Sequence, residues 1–287
     1  MRRAIAIQDD LDQIHVVEDL TGVFESVASI KIARIRNRVV ASKAFFAELW
    51  DTYRGLRVDP KEQLLRNSRK TNGRTVLVAV TTEGKLSGEI GNKVIDDVVE
   101  AARDAKDLDV IVLGTYGATQ LRDKGVEVKQ VFKLPESDVQ FSVADIISIL
   151  QDYKQISVFY QMYESLRIQR VGRIELVSAV HELSDEVSAE GEDVEIVSSH
   201  EYIFEPGAPE IANYLESLML GVALTQVMME SKLAQFASRF NAMNAAKHRA
   251  HDLGDEYALM YHRAKRAEAD ERLKEIMKVV NAQRGMA

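Results

Sequence analysis

The residues of this chain that could do chemistry are few and loosely connected. Gly114-Thr115-Tyr116-Gly117 follows a β-rich run and could cradle a phosphate on backbone N–H groups. It lacks the full dinucleotide fingerprint and the Gly-Lys-Ser/Thr ending of a P-loop, and a plain strand-to-loop turn is the better reading. Thr81–Gly91 is also glycine-dense between a strand and a helix, and could bring backbone close to a ligand or another chain. Turn geometry explains it more simply. His248 and His251 stand three apart on a helix, a metal-compatible spacing. No carboxylate completes a motif such as His-Glu-x-x-His, so histidines pairing with acidic neighbours or with water are the simpler account. The chain has no cysteine, which excludes disulfides, thiolate metal sites, cysteine nucleophiles and an internal thiol switch.

These loops sit in a middle region bounded by two long helical segments. All four prolines fall within 60–209. On the N-terminal side, from about Asp9 to Gly55, apolar or small residues recur in steps of three and four: Leu11, Ile14, Val17, Thr21, Phe24, Ala28, Ile32, Ile35, Val39, Ser42, Phe46, Leu49, Tyr53. That is one helix face, roughly 70 Å long at 1.5 Å per residue. A helix of that length needs a companion. After Pro209 the stripe Ile211, Leu215, Leu218, Val222, Thr225, Met229, Leu233, Phe236, Phe240, Met243 has coiled-coil spacing and resumes at Ala250. Between the two lie β-rich runs at 75–80 and 109–113 with a helix at about 91–106. A half-buried strand is expected at 126–132, then a long helix from about Ser142 to Ser165. Arg173–Val180 and Val194–Phe204 read as a hairpin with an acidic tip. The expectation is an α/β protein: a long antiparallel coiled coil of the N-terminal (1–56) and C-terminal (206–287) helices with an inserted Rossmann-like α/β domain (57–205).

A net charge of −8 argues against a general nucleic-acid binder. No apolar run of membrane-spanning length occurs, and the first residues turn acidic too soon for a signal peptide. Local basic clusters stand out against the acidic background: Lys31, Arg34, Arg36 and Arg38 on the first helix, and Lys247, His248, Arg249, Arg263, Lys265 and Arg266 on the last. They suggest an acidic partner surface, or simply a solvated helix face.

Several short motifs, in order, resemble the gamma subunit of F-type ATP synthases. Glu230-Ser231 is followed by Ser238-Arg239-Phe240-Asn241-Ala242-Met243, similar to the family's Glu-Ser and Ala-Arg-Met-x-Ala-Met. Tyr261–Ile276 resembles Tyr-Asn-x-x-Arg-Gln-Ala-x-Ile-Thr-x-Glu-Leu-x-Glu-Ile, with Lys265-Arg266 in place of Arg-Gln and Ala269-Asp270 in place of Ile-Thr. Tyr202-Ile203-Phe204-Glu205-Pro206 resembles Tyr-x-x-Glu-Pro. Leu20–Lys31 and Thr81–Gly91 fall on two further family segments. The N-terminal region departs from the family, which is usually basic there, in holding Asp9, Asp10, Asp12, Glu18 and Asp19.

The resemblance implies a central-stalk rotor with no catalytic residue, cofactor or metal of its own. ATP or ADP with Mg would sit on partner subunits. It implies contacts with the alpha and beta subunits of a catalytic hexamer, an epsilon-type subunit and a membrane c-ring, at the cytoplasmic face and with no membrane span. On that reading Phe24, Phe236, Phe240 and Met243 hold the coiled-coil seam. Arg239, Lys247, Arg263, Lys265 and Arg266 make charged contacts with partners, and Ile276, Val279 and Val280 enter an apical bearing. Two other readings stay open: a stand-alone α/β small-molecule enzyme with helical dimerisation arms, and a non-rotary scaffold paralogue.

Overall fold

The computed structural model describes residues 4–55, 72–84, 89–103, 107–134, 143–190 and 208–284. The elements in order are α1 (Ala4–Gly55), β1 (Thr75–Val80), α2 (Ile90–Arg103), β2 (Leu108–Leu113), α3 (Thr115–Asp123), β3 (Gln130–Phe132), α4 (Ala144–Leu150), β4 (Gln155–Tyr163), β5 (Gln169–Glu175), α5 (Leu176–Glu190) and α6 (Ala208–Arg284). α6 opens with Pro209 and Glu210 in its first turn. There a missing N–H costs nothing and a carboxylate suits the positive helix end.

The chain forms two compact units. One comprises 29–239 and holds the sheet, ordered β3-β2-β1-β4-β5. β1 runs parallel to β2 and β4, and β2 to β3, while β5 closes the edge antiparallel to β4. Strand alternation divides the core into two layers. Val76, Val78, Val80, Ile111, Leu113, Ile156 and Val158 face α4, α5, Phe46 of α1 and the apolar side of 208–239. Leu77, Ala79, Val110, Val112 and Phe159 face α2 and α3 through Val94, Ile95, Val98, Ala118 and Leu121. Helices covering both faces of a mostly parallel sheet are the doubly wound arrangement.

The other unit comprises 1–28 and 240–287. Its two helices run antiparallel. The N–H of Ala4 donates to Glu268 (2.8 Å), and Glu18 meets His251 (3.1 Å). His15 and Ile14 pack over Gly254, and Glu25 meets Asn244 (2.9 Å) and Lys247 (3.3 Å). Ala4, Ile7 and Ala264 form a small buried cluster with Tyr257 and Tyr261.

Several expectations need correction. The helix expected over 142–165 is one short helix, α4, followed by the central strand β4. Gln155–Tyr163 is rich in Ile, Val, Phe and Tyr, which suit a pleated, buried surface, and Asp152-Tyr153-Lys154 turns the chain into it. The Ser142 cap lies outside the described residues. Of the expected hairpin, 173–175 belongs to β5, paired with β4, whereas 176–180 starts α5. The second arm, 194–204, lies outside the described residues. The strand expected at 126–132 is confined to Gln130–Phe132. The units also divide the chain inside both long helices rather than at 56 and 206, because 29–55 and 208–239 pack with the α/β layers.

Candidate coupling surface

The strand order reverses between β1 and β4, and the crevice beyond their carboxyl ends is where ligands bind in open α/β sheets. Here side chains of α6 occupy it. The Ser231 hydroxyl donates to Gln161 Oε1 on β4. Gln235 Nε2 donates to the same oxygen (3.0 Å) and to the Thr81 carbonyl (3.2 Å). Gln161 and Ser231 are fully buried. Glu230 is half-buried beside them: burial pushes its carboxyl up, partly offset by the Tyr163 N–H and the charge of Lys43.

The phosphate-cradle loop is filled too. Its first residue, Gly114, has φ 117°. A Cβ on Gly114 or Gly117 would overlap Thr81, whose hydroxyl donates to the carbonyls of Leu113 (2.9 Å) and Gly114 (3.2 Å). These glycines serve close packing of β1 against the start of α3. The N-terminus of α3 already holds an anion: the Thr115 N–H (3.2 Å), the Thr115 hydroxyl and the Leu134 N–H (2.6 Å) all donate to the Glu83 carboxylate. An internal carboxylate thus sits where a phosphate would be attracted. In the other loop, 85–88 lies outside the described residues.

The cations singled out from sequence have different surroundings. Arg239 is half-buried, with its guanidinium 5.3 Å above the Phe236 ring and close to Gly84. Burial lowers its pKa. Lys247 lays its stem on Gly22 and pairs with Glu25. Arg263, Lys265 and Arg266 are exposed around the buried Ala264, with Lys265 Nζ 5.6 Å from the Tyr261 ring. Phe236, Phe240 and Met243 are partly buried. Phe24 departs from its expected seam position, being 40% exposed, and the inward positions around it are Thr21 and Ala28. Ile276 is 60% exposed, and Val279 and Val280 lie on α6 with side chains outside the described residues. His248 is exposed and His251 faces Glu18.

Sequence reading missed Glu83, Gln161, Gln235 and Asn244. For Gln235 a signal existed: Ser231, Gln235 and Arg239 recur in steps of four and so form a polar line along one side of the helix. Glu83 offers no pattern of its own, since its partners lie 32 and 51 residues away.

Among the described residues the protein thus comprises a doubly wound domain, whose crevice and α3 N-terminus are occupied by its own side chains, and an antiparallel pair of long helix segments. The family model described as ATP synthase matches residues 4–282, and the chain belongs to that family, as a gamma chain. Among curated relatives, the ATP synthase gamma chain of Mycoplasmoides gallisepticum is 24% identical over 281 residues, covering 93% of this chain and 95% of the relative. That of Halothermothrix orenii is 24% identical over 282 residues, covering 94% and 96%. Among solved structures, a chain of the Tetrahymena thermophila mitochondrial ATP synthase central stalk and c-ring superposes with TM-score 0.57 at 18% identity, covering 79% of this chain and 99% of that one. One from the Euglena gracilis OSCP/F1/c-ring assembly gives 0.59 at 13%, covering 97% and 94%. The chain is a non-catalytic central-stalk subunit. No helix among the described residues is long and apolar enough to cross a membrane.

Proposed function

We propose that this subunit couples ion-driven rotation of a membrane c-ring to nucleotide-state changes in a surrounding hexamer of alpha and beta subunits, with an epsilon-type subunit beside its α/β domain. It acts from the cytoplasmic face, and ATP or ADP with Mg is held by the partners. An asymmetric shaft biases each of several equivalent partners by touching it differently, and only such differential contact shifts a conformational equilibrium. The observation that carries this reading is the self-filled crevice: α6 spends Ser231 and Gln235 on the site where a related fold would hold a ligand. The exposed charged faces of the coil then remain as the working surface. Arg263, Lys265 and Arg266 are the contacts most accessible to partner loops, with Lys247 and Arg239 contributing from more enclosed positions. Ile276, Val279 and Val280 enter the apical bearing.

Affinity purification of the tagged chain from its native membranes tests the assignment. An alpha/beta-type hexamer with ATP hydrolysis is expected; a homodimer without those partners overturns it. Within the purified complex, Arg263→Glu with Arg266→Glu is expected to weaken ATP-driven ion pumping more than ATP hydrolysis. Unchanged pumping removes these arginines from the coupling contacts.

A further inference from the structure

The helix pair of 1–28 and 240–287 carries a charge pattern that the basic contacts do not use. Between Ala4 and Ile30 on α1, and between Ala250 and His262 on α6, there is neither Lys nor Arg. These stretches hold nine carboxylates: Glu25, which meets Asn244 and Lys247, and eight others, Asp9, Asp10, Asp12, Glu18, Asp19, Asp252, Asp255 and Glu256. The helix pairing brings the two stretches side by side, as Glu18 against His251 and His15 against Gly254 show. Six of the eight carboxylates are exposed, while Asp10 and Glu18 are half-buried. Within the collar lies an open groove of about 520 Å³, lined by Ile14, Val17, Leu253 and Tyr257 together with the polar Asp10 and Gln13. Val17 and Leu253 are 49% and 46% exposed there.

We infer that this acidic collar is a docking surface for a partner-chain segment that places an apolar side chain in the groove between flanking Lys or Arg residues. The inference rests on the proposed function, in which partner subunits surround the coil. Interfaces juxtapose opposite potentials, and like charges facing each other cost affinity. An acidic partner face at this level is therefore disfavoured, as is a second copy of the chain meeting collar to collar. The partner surface changes sign along the coil: basic opposite the collar, acidic opposite Arg263, Lys265 and Arg266.

The test uses the purified complex. Carbodiimide activation followed by mass spectrometry is expected to link Asp12, Asp19, Asp252, Asp255 or Glu256 to lysines of one partner segment. Glycinamide is expected to label those carboxylates far less than the exposed Asp123 and Glu127 of the α/β domain. The triple variant Asp252→Asn/Asp255→Asn/Glu256→Gln should assemble about tenfold more slowly at low salt, with the difference vanishing at high salt. A complex that forms normally while these carboxylates label as freely as Asp123, or cross-link to another copy of this chain, overturns the collar and leaves the rotor reading intact. Failure to recover any hexamer removes both.

Discussion

Residues 208–239 and 240–284 of α6 are built on different plans. The first stretch buries Met219, Leu220, Leu224, Val227, Met228 and Leu233. It needs bulk because a sheet face and two helices must be filled. The second buries, among its described residues, only Ala250, Gly254 and Ala264. A two-helix contact needs small residues where the backbones approach, and everything else can face outward. Large exposed apolars follow there: Leu253, Leu259, Leu273, Ile276 and Met277. One stretch is an anchor, and the other leaves most of its surface facing outward. The same helical periodicity serves both, so periodicity alone does not tell them apart.

The sharpest way to break this contrast is truncation in each stretch. Leu224→Ala, at a site with 0% exposure, is expected to cost about 2–5 kcal/mol. Leu259→Ala, at 60% exposure, should stay within about 0.5 kcal/mol. Denaturant unfolding read from Trp50, the chain's one tryptophan, which packs against the same core, measures both. Equal costs would abolish the distinction between anchor and surface.

Gly117→Ala tests whether the phosphate-cradle glycines are packing devices. The added methyl meets Thr81, and a loss of about 1–3 kcal/mol is expected. A neutral result would reopen the loop as a ligand site.

Asp109 makes the α/β unit sensitive to acid. At the start of the parallel strands its buried carboxylate accepts from Arg74 (2.7 Å), Lys129 (2.5 Å) and Tyr153 (2.7 Å). Burial works against its charge, yet the hydrogen bonds and charges of these neighbours win and hold its pKa below the usual carboxylate value. Its stability contribution is therefore complete above the unfolded-state pKa and lost as pH falls through the lower folded value. Asp109→Asn is expected to cost about 1–3 kcal/mol near neutral pH, and to flatten the acid limb of a stability-versus-pH curve. An acid limb identical to the wild type would show that the carboxylate does not hold the strand starts together.

Much of this fold was legible in the sequence, for identifiable reasons. The α1 stripe is inward or partly so from Leu11 to Tyr53 except at Val17 and Phe24, since a long helix repeats one constraint many times. Strands β1 and β2 announce themselves as short β-branched runs. β4 was hidden because Ile146–Ile149 and Ile156–Phe159 are similarly apolar, and only the turn at 152–154 separates helix from strand. The polar filling of the crevice was illegible at Glu83 and Gln161, whose roles depend on residues distant in the chain. The basic residues were visible as clusters, but their degree of enclosure was not: Arg239 and Arg266 look alike in sequence and differ in burial.

The smallest expected effect concerns the ion pair in the coil, and it sharpens the contrast most directly. Asn244 donates to Glu25 (2.9 Å) and Lys247 pairs with it (3.3 Å). The Asn244 hydrogen bond leads in holding the Glu25 carboxyl below its usual value; burial opposes, and Lys247 and the charge of His248 assist. By the same sign rule, this contribution is present above the unfolded-state pKa and lost on acidification. Because the Lys247 side chain is 44% exposed, solvent screens the pair, and a double-mutant cycle of Glu25→Ala and Lys247→Ala should give about 0.2–1 kcal/mol, falling with salt. Lys247→Ala should therefore barely change stability while altering any partner contact the lysine makes. A coupling as large as the Leu224→Ala loss would mean that the coil, too, is held by its charges and is an anchor in its own right.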